Sequence, residues 1–172
     1  MTDDAPRTIL PLPSYPGSSP ADRGGTLTKV STRRLVFEVS GTFFAVDVGH
    51  VREALDLPPA TPLPGTPDWV LGLVSVRGTL FAVVDFGRFL RLAPATESDD
   101  PTCLVFEHGG RRLGALVSQL VGVEDLDETA PEVPGEMLEA LRARPFVVSV
   151  TGWGERPLWH LDIERVFSDV YP

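Results

Sequence analysis

The sequence predicts an all-β fold of two linked small barrels with a short helix at the end of the chain. Three observations carry this. Short apolar runs of strand length recur from about residue 34 onward, glycine-centred turns separate them, and little of the chain has helical spacing. About ten strands are too many for one tiny barrel, whereas two barrels suit a chain of 172 residues.

Composition sets the bounds. With 42% hydrophobic and 23% charged residues the chain reads as a soluble globular protein able to bury a sizeable core. Arg77 and Asp85 break the longest apolar run, residues 70–86, so no stretch reaches the roughly 18 residues that a membrane span requires. Asp3 and Asp4 are followed by prolines rather than by a basic and then an apolar segment, which is not the pattern of a secretory signal. Cys103 is the only cysteine; an internal disulfide is excluded and a reducing cytoplasm fits. The net charge of −9 is uneven: residues 1–92 carry nine acids and nine bases, residues 93–172 fifteen acids and six bases. Such a balance opposes the clustered Lys and Arg that nucleic-acid binding needs.

Residues 1–32, with Pro6, Pro11, Pro13, Pro16 and Pro20 among Ser, Gly and Thr, read as a flexible tail. Leu35, Phe37 and Val39 then alternate with Val36, Glu38 and Ser40, the pattern of a half-buried strand. "SGT" turns the chain into a return strand over 43–47. "VGHVREALDL" fits either a helical face or a strand; a short turn leading into a strand at Val51 is the reading adopted. "PPATPLPGTP" (58–67) holds five prolines and predicts a stiff, extended loop. Residues 71–77 and 80–86 form a hairpin with Gly78 at its corner, and Arg77 at the strand end, where it needs solvent or a carboxylate. "DFGRFLRL" offers a short helix or turn and "APATESDDP" a polar connection, placing a subdomain boundary near 87–100.

The second half repeats this grammar with strands at 103–107, 113–118, 121–126, 146–151 and 157–161, turning at "HGGRR" and "GWGER". "PGEMLEALRARP" has room for one or two helical turns between prolines. "DIERVFSDV" reads as a closing helix with Ile163, Val166 and Phe167 inward.

Four segments in order make the chain, from about Arg34 to Asp169, resemble the CheW-like domain family of bacterial chemotaxis: "LVFEVSGTFFAVDVGHVREAL", "GLVSVRGTLFAVVDF", "LVFEHGGRRLGALVSQLVGVEDL" and "LWHLDIERVF". Where many members have Asn-Leu-Arg-Gly, this chain has Ser75 and Val76 before Arg77. The resemblance implies two five-stranded SH3-like barrels over residues 33–172 with an apolar groove between them. It implies a non-enzymatic, cytoplasmic adaptor associated with receptor arrays. Its expected partners are the cytoplasmic tip of a methyl-accepting chemoreceptor and the regulatory domain of a CheA-type histidine kinase. Four residues match partner-contact positions of the family: Arg77, Glu53, which can pair with it, and Val51 and Gly72 near the receptor-binding face. Plain structural roles compete at each: a solvated ion pair, a core valine, and a bulge or close-approach glycine.

The rival is a small hydrolase or ligand-binding barrel using the cleft between the halves. His50, His108 and His160 lack metal-ligand spacing and read as surface histidines, and no cofactor is expected. Cys103 opens an apolar strand and reads as an inert buried thiol. Asp85 with Asp162 or Glu164 reads more simply as turn and helix-capping residues than as an acid–base pair. Glu136 and Glu139 share a helical face that reads as solvated, and "GTPDWVLG" lacks the ending of a phosphate-binding loop.

Overall fold

The computed structural model describes residues 8–10, 31–127 and 145–172. Most of the expected tail, and the expected helical turns over 134–144, lie outside the described residues. Eleven strands form among the described residues: β1 Thr8–Leu10, β2 Ser31–Val39, β3 Thr42–Asp47, β4 Val51–Asp56, β5 Val70–Val76, β6 Thr79–Asp85, β7 Thr102–His108, β8 Arg111–Val117, β9 Gln119–Asp127, β10 Val147–Trp153 and β11 Arg156–Leu161. Two short helices, α1 Phe86–Phe89 and α2 Ile163–Val170, and 3-10 turns at Val48–His50 and Ala95–Glu97 complete them.

The first sheet runs β1-β4-β7-β8-β6-β5 and the second β10-β11-β3-β2-β9. Leaving aside the three-residue β1, these are the two five-stranded sheets the sequence leads one to expect, with the closing helix in place. β1 itself lies in the segment read as tail; Thr8 and Leu10 pair with Leu55 and Ala54 of β4.

The sheets do not divide at 87–100. In the first sheet β4 pairs with β7 and β6 with β8, β5 lying outside β6, while in the second β2 pairs with β9 and β3 with β11. Two parallel pairings, β6 with β8 and β3 with β11, bring the halves of the chain together. Each half therefore contributes to both sheets.

Burial explains the near-continuous apolar runs. Along β7, Cys103 and Val105 face a core inside the first sheet with Leu55, Val74, Val76, Phe81, Val83 and Leu116. Leu104 and Phe106, the alternate residues, face the other way into a larger core with Leu35, Phe37, Phe44 and Leu113. That larger core fills the space between the sheets. A strand with both faces covered reads as continuous rather than alternating. This also corrects β2: Leu35, Phe37 and Val39 point between the sheets as expected, but Val36 is fully buried too, with Ala45 and Leu158 inside the second sheet. Because β4 and β5, at opposite ends of the first sheet, share its inner core, that sheet curls upon itself. No hydrogen-bonded ladder joins those two strands among the described residues.

Three aspartates at strand ends start three of the four described helical segments. Asp47 accepts from the Gly49 amide, Asp85 from Arg88, and Asp162 from Glu164 and Arg165. α2 then buries Ile163, Val166 and Phe167, and the Tyr171 hydroxyl donates to the Arg112 carbonyl of β8 at 2.8 Å. The closing helix thus follows β11 of the second sheet and docks on the first.

Candidate functional site

Val76 pairs with Thr79, so Arg77 and Gly78 are the two loop residues of the β5–β6 hairpin. Both have positive φ, 47° at Arg77 and 78° at Gly78, as a two-residue turn matched to strand twist requires. From that corner the Arg77 guanidinium donates to Glu53 Oε2 at 2.7 Å. The pair links the β5–β6 turn to β4, a strand that no ladder among the described residues connects to β5 or β6. It is lopsided: the Arg77 side chain is 61% exposed and that of Glu53 14%. A cation is thereby displayed on the surface by a carboxylate largely out of solvent.

The other two expected residues lie elsewhere. Val51 is buried in the intersheet core. Gly72, five residues before Arg77 and so about 16 Å away along the strand, lies under the proline-rich loop. There Thr61 and Leu73 exchange two backbone hydrogen bonds, 2.8 and 2.9 Å. A Cβ on Gly72 would stand 2.3 Å from the Thr61 carbonyl oxygen. The structure thus brings Arg77 and Glu53 together and gives Val51 and Gly72 packing roles.

A second surface feature escaped the sequence reading. A cleft of about 360 Å³ opens where the intersheet core reaches the surface, floored by Trp69, Phe89 and Phe146. Phe89 stacks on Phe146 with centroids 4.7 Å apart, and Trp69 meets Phe89 edge-on at 5.1 Å. Asp68, Arg88, Arg91 and Asp169 rim it. The three rings come from the chain before β5, from α1 and from the chain before β10. Their only sequence signal is an aromatic residue at the boundary of each element.

The groups of the rival reading are otherwise engaged. Asp85, fully buried, accepts from the Arg88 and Ala95 amides and from the Thr96 amide and hydroxyl, at 2.8–3.1 Å. It fixes the connection after β6 rather than facing Asp162 or Glu164. Burial, helped by the charge of Glu53, pushes the Cys103 thiol up to about 12, so it stays protonated near neutral pH. The histidines are not all surface residues. His160 is buried and bonds Thr151 Oγ1 at 2.8 Å, and the half-buried His50 and His108 stand together, ring centroids 5.6 Å apart.

The two sheets thus pack on a common intersheet core, with the Arg77 cation displayed at one end of the first and the aromatic cleft open where that core meets the surface. Residues 33–170 match the CheW-like domain family. Chemotaxis protein CheW of Rhizobium meliloti is 28% identical over 145 residues, covering 82% of this chain and 90% of that protein. Protein PilI of Pseudomonas aeruginosa is 33% identical over 116 residues, 66% of this chain and 64% of its own length. The crystal structure of the scaffolding protein TtCheW from Thermoanaerobacter tengcongensis superposes with a TM-score of 0.65 at 20% identity, covering 77% of this chain and 90% of that one. The chain belongs to the CheW-like domain family, and its fold is that of TtCheW.

Proposed function

We propose that this chain is a cytoplasmic chemotaxis-type scaffold that couples a chemoreceptor tip to the regulatory domain of a CheA-type histidine kinase, without catalysing a reaction. The observation that carries this reading is the family match over 33–170, which spans both sheets and their common core. Two surfaces suit the two partners. The Trp69–Phe89–Phe146 cleft, apolar on its floor and charged on its rim, suits a receptor helix laid into a groove. The Arg77–Glu53 end of the first sheet suits the kinase domain, a rim charge that orients an incoming partner more than it adds affinity. Receptor state would reach the kinase as a coupling free energy between the two sites. Among the described residues no helix is long and apolar enough to cross a membrane.

The test is direct binding of the full chain to the kinase regulatory domain and to the receptor tip of the same organism, measured by titration calorimetry. Both bind the unaltered chain. Arg77→Glu weakens the kinase interaction about tenfold or more, with circular dichroism unchanged. Absence of binding to either partner, together with turnover of a small substrate, overturns the scaffold in favour of the hydrolase reading.

A further inference from the structure

We propose that His50, His108 and Glu164 form a binding site for one divalent transition-metal ion of the zinc, nickel or copper class. One ligand atom from each of the three lies within 4.8 Å of the other two. They come from three places in the chain: His50 ends the turn between β3 and β4, His108 ends β7, and Glu164 sits in the first turn of α2. Only the tertiary fold makes them neighbours.

The His50 imidazole is already held as a metal-binding histidine is. His50 Nδ1 lies 3.4 Å from the Glu107 carbonyl oxygen, the backbone partner that commonly orients a ligating ring and leaves Nε2 for the ion. The ring of His108 packs edge-on against Phe167, centroids 5.8 Å apart, and its Nδ1 stands 3.9 Å from Glu164 Oε1. The neighbouring Glu107 carboxylate is not available as a fourth ligand, because Arg52 and Arg112 both donate to it. These two guanidiniums hold its carboxyl below the usual carboxylate range.

Two imidazole nitrogens and one carboxylate oxygen select a borderline transition ion over calcium or magnesium, which prefer all-oxygen cages. Ligand atoms around a tetrahedral zinc with bonds of about 2.0–2.1 Å stand about 3.3 Å apart. The present spacing therefore closes by rotation of side chains, chiefly Glu164, which is 65% exposed. Three protein ligands leave a fourth position for water. A bound ion would join α2, which follows the second sheet, to the end of β7 in the first. Binding to the folded chain alone raises its stability by mass action.

The experiment uses full-length protein without an affinity tag, titrated with Zn²⁺ and with Ni²⁺ by calorimetry and equilibrium dialysis. One ion per chain is expected. His50→Ala and His108→Ala weaken it at least tenfold, Glu164→Gln also weakens it, and Zn²⁺ at a hundred times its Kd raises Tm by about 5 °C. Should a histidine variant not fold, imidazole nitrogen NMR of the unaltered chain decides. Zn²⁺ shifts His50 and His108 and leaves the buried His160 in place. Absence of stoichiometric binding, binding untouched by the three substitutions, or shifts that spare His50 and His108 overturn the site.

Discussion

Arg77 occupies a backbone conformation that favours glycine, and its φ of 47° costs an ordinary residue about 1–2 kcal/mol. Its ion pair with Glu53, more than half in solvent on the arginine side, returns about 0–1 kcal/mol. The Glu53 pair and the backbone cost therefore roughly cancel. Arg77→Gly should change unfolding free energy by less than about 1 kcal/mol in urea denaturation, because relief of the backbone offsets the lost pair. Kinase-domain binding should fall all the same. A loss of more than about 2 kcal/mol would make Arg77 a structural residue and remove it from the interaction surface. The pairing with Glu53 was legible because a strand-end arginine needs a carboxylate and Glu53 lies in the preceding strand. The His50–His108–Glu164 cluster was not, since ligand-spacing rules see only residues close in sequence and these three meet through the tertiary fold.

At the scale of the element, the informative case is β5 and the loop that crosses it. Five prolines in residues 58–67 leave few amides to donate. Thr61 supplies one of them, to Leu73, and accepts the Leu73 amide in return. Gly72 permits this approach twice over: its φ of +141° suits glycine alone, and the space of its missing Cβ holds the Thr61 carbonyl. Gly72→Ala should cost about 2–4 kcal/mol in chemical denaturation and make the 58–67 loop more susceptible to limited proteolysis. A cost below about 0.5 kcal/mol would mean the loop does not rest on β5. The strands themselves were legible, and so were their glycine-cornered hairpins, because turn chemistry is local. How deeply each was buried was not. Val36 looked like the solvent side of β2 only because a second inner core, with Ala45 and Leu158, leaves no mark on the sequence of β2 itself.

For the whole molecule, the decisive fact is where the apolar mass lies. Phe37 of β2 packs against Phe44 of its own sheet at 5.9 Å and against Phe86 and Phe106, which follow or belong to the first sheet, at 6.1 and 6.4 Å. The largest core is thus shared, and the chain crosses between sheets at Val48–His50, at Ser118 between β8 and β9, and again through α2. A boundary drawn at 87–100 from composition missed this, because parallel pairing of β3 with β11 and of β6 with β8 spans long loops and leaves no local signal. Two barrels with only separate cores would unfold separately; two sheets whose largest core is shared should unfold as one cooperative unit. Tryptophans report on both regions, since Trp69 precedes β5 of the first sheet and Trp159 lies in β11 of the second. In variants retaining one or the other, the urea midpoints followed by fluorescence should coincide. Phe37→Ala should lower both together, by about 3–5 kcal/mol of unfolding free energy. If instead the Trp159 signal moves while that of Trp69 stays, the sheets are independent domains and their shared core does not couple them.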